Sequence, residues 1–123
     1  MITLTFNEHL DLLKTKFKAD IYAKDILDYI IAFKNNTTYP RKLKGIIDAR
    51  DSSFKFSFRD LKSFNDAKTE SLKSYDIVIF AILINSPATA AISTLYEAIA
   101  NNEKYKFKVF STEEAALIWV KGF

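Results

Sequence analysis

Eight apolar residues, Ile77 to Ile84, run without a break between Tyr75-Asp76 and Asn85-Ser86-Pro87. Most are β-branched or aromatic, which suits a pleated strand better than a helix. The run is far shorter than the ~20 apolar residues a membrane-crossing helix needs. A strand apolar on both faces must be covered on both, as an interior parallel strand of an α/β sheet is. The rest of the chain has to supply that cover.

Its 123 residues are enough for one domain with a sizeable core, and residues 1–123 are expected to form one. Only two glycines are present, so a glycine-rich phosphate loop is not expected. No cysteine is present, which removes disulfides, thiol catalysis and thiolate metal sites. The opening Met-Ile-Thr-Leu-Thr-Phe-Asn-Glu lacks a basic region followed by an apolar stretch. The expectation is a cytoplasmic protein without a signal peptide or membrane span. The net charge of +3 is mild and makes a nucleic-acid partner unexpected.

Ile2, Leu4 and Phe6 alternate with threonines, and Leu13, Thr15, Phe17 and Ala19 alternate with Lys14, Lys16 and Lys18. This predicts an antiparallel hairpin over residues 2–19 with one wet face, whose lysines discourage pairing with another chain. Tyr22, Ile26, Tyr29/Ile30 and Phe33 predict a helix over 20–35. A strand is expected over 43–49, followed by a polar loop at Arg50-Asp51-Ser52-Ser53. Ser57 and Asp60 resemble a capping box opening a second helix, whose stripe of Phe58, Leu61, Phe64/Asn65, Lys68 and Leu72 weakens toward its end. Ser86 and Pro87 open a third helix, with Ala88, Ala91, Ile92, Leu95 and Ile99 as its expected buried face. A last strand over 107–110 and a helix from Glu113 to about Lys121, capped at Thr112 and Gly122, close the chain. The predicted fold is α/β: a mostly parallel sheet of right-handed β-α units behind an N-terminal antiparallel hairpin.

The antiparallel start, the strand ending Ile46-Ile47-Asp48-Ala49-Arg50, the strand ending Asn85-Ser86-Pro87 and the closing segment Phe107 to Trp119 resemble SpoIIAA-like (STAS-like) proteins. These are small bacterial domains related in fold to anti-sigma-factor antagonists and, more distantly, to CRAL-TRIO lipid-binding domains. The resemblance covers essentially the whole chain and implies strand–helix units in sequential strand order. Phospho-switched antagonists carry a serine within Asp-Ser-Ser-Gly. Here Asp51-Ser52-Ser53 is followed by Phe54 in place of glycine, and Ser57 reads as a helix cap rather than a phosphorylation site.

In open α/β sheets, ligands bind beyond the carboxyl ends of the strands. That rim is expected to gather Asp48, Arg50, Asp51, Asn85 and Ser86, beside helix starts near Ser57, Pro87 and Thr112. Arg50 offers bidentate capacity, unless it pairs with Asp48 and Asp51 instead. Catalysis is not expected. His9, the sole histidine, falls in a predicted turn away from the rim, which leaves no general base there. Asp48 and Asp51 form an unspecific pair, an all-oxygen metal site from them with Asn85 is not expected, and no cofactor is implied.

Two binding roles follow. The expected function is a non-enzymatic regulatory module holding a protein partner at the edge near residues 50–58, with Phe54, Phe56, Ser57 and Phe58 forming an aromatic surface. The alternative is a pocket under the second helix for a small apolar or lipid-like ligand, lined by Phe54, Phe56, Phe58, Phe64 and Tyr75. That reading calls for a closed cavity of several hundred Å3.

Overall fold

The computed structural model describes residues 1–123. Its elements are β1 (Ile2–Asn7), β2 (Leu12–Tyr22), α1 (Ala23–Ile31), β3 (Lys42–Lys55), a 3-10 turn (Phe58–Asp60), α2 (Leu61–Ser71), β4 (Ile77–Leu83), α3 (Pro87–Ala100), β5 (Tyr105–Phe110) and α4 (Glu113–Lys121). One five-stranded sheet runs β1-β2-β3-β4-β5, the sequential order the resemblance implies. β1 and β2 are antiparallel, and every later pair is parallel. No helix is long and apolar enough to cross a membrane.

β4 lies between β3 and β5, as its composition requires. Val78 and Ile82 face the larger core, with α1, α2 and α3 above them. Ala81 and Leu83 face a smaller core that α4 closes with Ala116 and Val120. Gly45 sits opposite Phe80 in the β3–β4 register. A Cβ on Gly45 would stand 2.5 Å from a carbon of the Phe80 ring, so the ring occupies the space a side chain would take. α1 is pinned to β2 by a buried hydrogen bond between Tyr29 and Thr15, 3.0 Å apart.

Three local expectations are corrected. The helix predicted over 20–35 starts only at Ala23, because Asp20, Ile21 and Tyr22 pair with Ser53, Phe54 and Lys55 and extend β2. Asp25 takes the Tyr22 N–H at 2.8 Å, in place of a Ser/Thr cap. Ala19 does not share the buried face with Phe17. It is exposed, at φ 63°, a left-handed backbone uncommon outside glycine, just past the register shift between Lys16 and Lys18. The third correction concerns Arg50-Asp51-Ser52-Ser53, which is strand rather than loop. β3 continues to Lys55, seven residues beyond its last pairing with β4 at Asp48–Leu83. Residues 51–55 pair with Lys18–Tyr22 of β2 alone and form a two-stranded arm past the sheet. Its signal was the alternation of Ser52, Phe54 and Phe56 with exposed Asp51, Ser53 and Lys55. The inward Phe54 ring lies 6.4 Å from that of Phe17, so core burial fixes the extended backbone.

Candidate functional site

The carboxyl ends of β3, β4 and β5 do share one rim, since Asp48 lies opposite Leu83 and Leu83 opposite Phe110. The expected site residues divide between the two faces of the sheet there. Asp48 and Lys16 follow the alternation of Ile46 and Leu12 and lie on the face that carries α4. Arg50 donates to both oxygens of Asp48, each at 3.0 Å. Lys16 donates to Asp51 at 2.6 Å and to Asp48 at 3.3 Å. The Arg50 guanidinium, with help from its backbone N–H and from Lys16, holds the Asp48 carboxyl at about 2. Asp48 in turn raises the pKa of Arg50. The bidentate capacity of Arg50 is therefore engaged within the chain.

The capping serines behave as their spacing predicts. Ser57 Oγ accepts the Arg59 N–H at 3.3 Å while Asp60 accepts the Ser57 N–H at 3.0 Å. Ser86 Oγ accepts the Thr89 N–H at 3.3 Å. Asn85 is exposed at the rim. His9 lies exposed in the β1–β2 turn, and no cluster of three metal-ligating side chains forms.

On the other face, the arm of β3 runs beside the start of α3. Ser52, Ser53, Phe54, Phe56, Ser86 and Thr89 line a groove of about 200 Å3 there. The aromatic surface expected at 54–58 is not continuous. Phe58 is 65% exposed. Phe54 and Phe56 turn inward, stacked at 4.9 Å, and Phe56 meets the edge of Phe64 at 5.1 Å.

Those inward rings line a cavity between the sheet and the three helices. Its volume is about 120 Å3, smaller than the several hundred expected, and it is partly open rather than closed. Phe58 and Tyr75 take no part in its wall, whereas Phe54, Phe56 and Phe64 do. Tyr75 packs instead against Phe33, to whose carbonyl it donates at 3.3 Å. The cavity exists because of how α3 is turned. The face expected to be buried is wrong by part of a turn: Leu95 and Ile99 are about half exposed, while Thr89, Ser93 and Ala100 point inward. Tyr96 anchors that orientation, its ring meeting Phe107 of β5 edge-on at 5.1 Å. Small inward side chains cannot fill the space above the sheet.

The wall is almost wholly apolar, with Lys68, Ser93 and Lys106 as its polar members. Helical spacing puts Lys68 on the inward stripe of α2 without pointing to a role for its amine. Ile92, expected on the buried face of α3, does line the cavity, whereas Tyr96 and Phe107 join it only through the packing angle of α3, which spacing does not give.

No protein-family model and no curated protein matches the sequence. Among solved structures, an uncharacterized DUF3478-family protein with a SpoIIAA-like fold, from Shewanella loihica PV-4, superposes with a TM-score of 0.62. The match covers 97% of this chain and 93% of that one at 15% identity, a level at which likeness speaks to fold alone. With its antiparallel first pair, its parallel strands in sequential order and its four helices, this chain has the SpoIIAA-like fold.

Proposed function

We propose that this domain acts by binding rather than by catalysis, and that its occupant is a small apolar ligand held between the sheet and α1–α3. The observation that carries this reading is the cavity of about 120 Å3 among Phe54, Phe56, Phe64, Ile92 and Tyr96. Protein interiors are close-packed, and few voids exceed a water molecule. A partly open pocket with an almost wholly apolar wall leaves hydrocarbon against water unless something fills it. The volume suits a molecule near the size of benzene, which a cavity of ~150 Å3 accommodates, rather than a drug-sized ligand.

A separate observation supports a protein partner at the rim and residues 50–58. Beyond Asp48, β3 pairs on one side only, and its open edge faces the groove with Ser86 and Thr89. An extended segment of a partner fits such an edge by strand addition. Native mass spectrometry of the protein purified from its own host tests both readings. A small organic mass on the folded chain, lost on unfolding, supports the ligand. A bound polypeptide that Ser53→Pro releases supports the strand edge. A bare chain counts against both.

A further inference from the structure

The apolar cavity has a buried cation in its wall. Lys68 of α2 is 8% exposed. Its Nζ donates to the Ala100 carbonyl at the end of α3, at 2.9 Å, and stands 4.0 Å from the centroid of the Tyr105 ring. It forms no ion pair. The carboxylates of its own helix are engaged outside, Asp66 with Lys62 and Glu70 with Lys34 and Lys73. An ammonium carries three donors, and Lys68 has a hydrogen-bond partner in the protein for one. The carbonyl and the ring face offset part of the cost of burying the charge, but neither carries a countercharge. Methionine would fill the same position without that cost, so the amine calls for a partner that the protein does not contain.

We propose that the cavity takes a small monocarboxylic acid, with its carboxylate on Lys68 Nζ and its hydrocarbon part among Phe56, Phe64, Ile92 and Tyr96. This rests on the ligand-binding reading above and names the chemical class. Benzene, six non-hydrogen atoms, occupies a closed cavity of ~150 Å3; this smaller pocket is partly open, so a six-carbon acid, with eight, lies with the end of its chain at the mouth. One ammonium matches one negative charge. A phosphate ester, with more charge and more acceptors, would need an arginine fork or a second free cation. The other lysine of the wall, Lys106, directs its ammonium to the surface, where it donates to the Asn102 carbonyl at 2.6 Å in contact with water.

Calorimetric titration with hexanoate and with hexanol tests this at pH 7, on the wild type, Lys68→Met and Lys106→Met. The wild type and Lys106→Met are expected to bind hexanoate at least tenfold more tightly than hexanol. Lys68→Met is expected to lose that preference and still bind hexanol. Equal binding of acid and alcohol by the wild type, or an unchanged preference in Lys68→Met, overturns the carboxylate assignment and leaves the apolar site standing. Failure of the wild type to bind either compound overturns both. If Lys68→Met does not fold, the comparison with hexylamine on the wild type decides. Hexylamine should bind worst of the three, and hexylamine binding as well as hexanoate overturns the assignment.

Discussion

Gly45→Ala probes the roof of the sheet directly. The added Cβ would stand 2.5 Å from one carbon of the Phe80 ring and 2.7 Å from another, and 3.2 Å from the Leu13 carbonyl. Ordinary contact begins near 3.4 Å, so the ring must retreat by 3.4 − 2.5 = 0.9 Å. The backbone carbonyl can give far less. Phe80 lines the cavity, so the ring has somewhere to go. Overpacking a core costs about 1–3 kcal/mol, and replacing a strand glycine returns roughly 0.5–1 kcal/mol of backbone entropy. A displacement of that size belongs in the upper part of the range, about 2–3 kcal/mol, and with about 1 kcal/mol returned the expected net loss is about 1–2 kcal/mol. In a urea titration with a slope near 2 kcal/mol/M, that lowers the midpoint by roughly 0.5–1 M without changing the slope. Phe80→Leu should recover part of the loss in the Gly45→Ala background, with a coupling of at least about 0.5 kcal/mol in a double-mutant cycle. A neutral or stabilising Gly45→Ala, or strict additivity with Phe80→Leu, would refute the placement of the ring over Gly45.

Three further outcomes are expected. Arg50→Ala should leave the fold intact, since partly exposed ion pairs contribute about 0–1 kcal/mol, and should weaken any rim partner. It should also return the Asp48 carboxyl from about 2 toward its ordinary value, read by carbon NMR titration. A loss of many degrees in melting temperature with no change in binding would make Arg50 purely structural. Ser57→Ala should cost about 1 kcal/mol in a thermal melt, as removal of a cap does, and phosphate found on Ser57 in the host would contradict the capping role. For Lys68, burial lowers the amine to about 8 from an ordinary 10.5. The unfolded chain therefore holds the extra proton between those values, and stability from this group rises with pH across the interval. Below pH 8 the burial cost is fully present. Lys68→Met should accordingly be more stable than the wild type at pH 7, with the gap closing by pH 10.5. A gap that is constant across that range would show that Lys68 is not desolvated.

The residues whose environment is set by near neighbours were legible. The unbroken apolar run of β4 announced an interior strand, and Ser57, Ser86 and Thr112 announced helix starts that their hydroxyls do cap. Residues governed by tertiary placement were not. Asp20 to Tyr22 carry helical spacing, yet they extend β2 because β3 offers them a pairing edge. The polar stretch Arg50 to Ser53 looks like a loop until its register with Lys18–Asp20 is known. α3 presents apolar residues on more than one face, and periodicity alone could not choose between Leu95/Ile99 and Thr89/Ser93/Ala100 as its buried side. The cavity is a product of that choice, and so it was anticipated as a place under α2 but not in its size or in its lysine.

The isoleucines report on the cavity most directly. Ile26, Ile30, Ile47, Ile82 and Ile92 line it, whereas Ile46 and Ile79 do not. Carbon–proton NMR of labelled isoleucine methyl groups during a benzene titration reads all seven in one experiment. A ligand site above the sheet predicts saturable shifts in the first five and none in Ile46 or Ile79. Unmoved methyls at saturating benzene, or shifts in Ile46 and Ile79 instead, would contradict it.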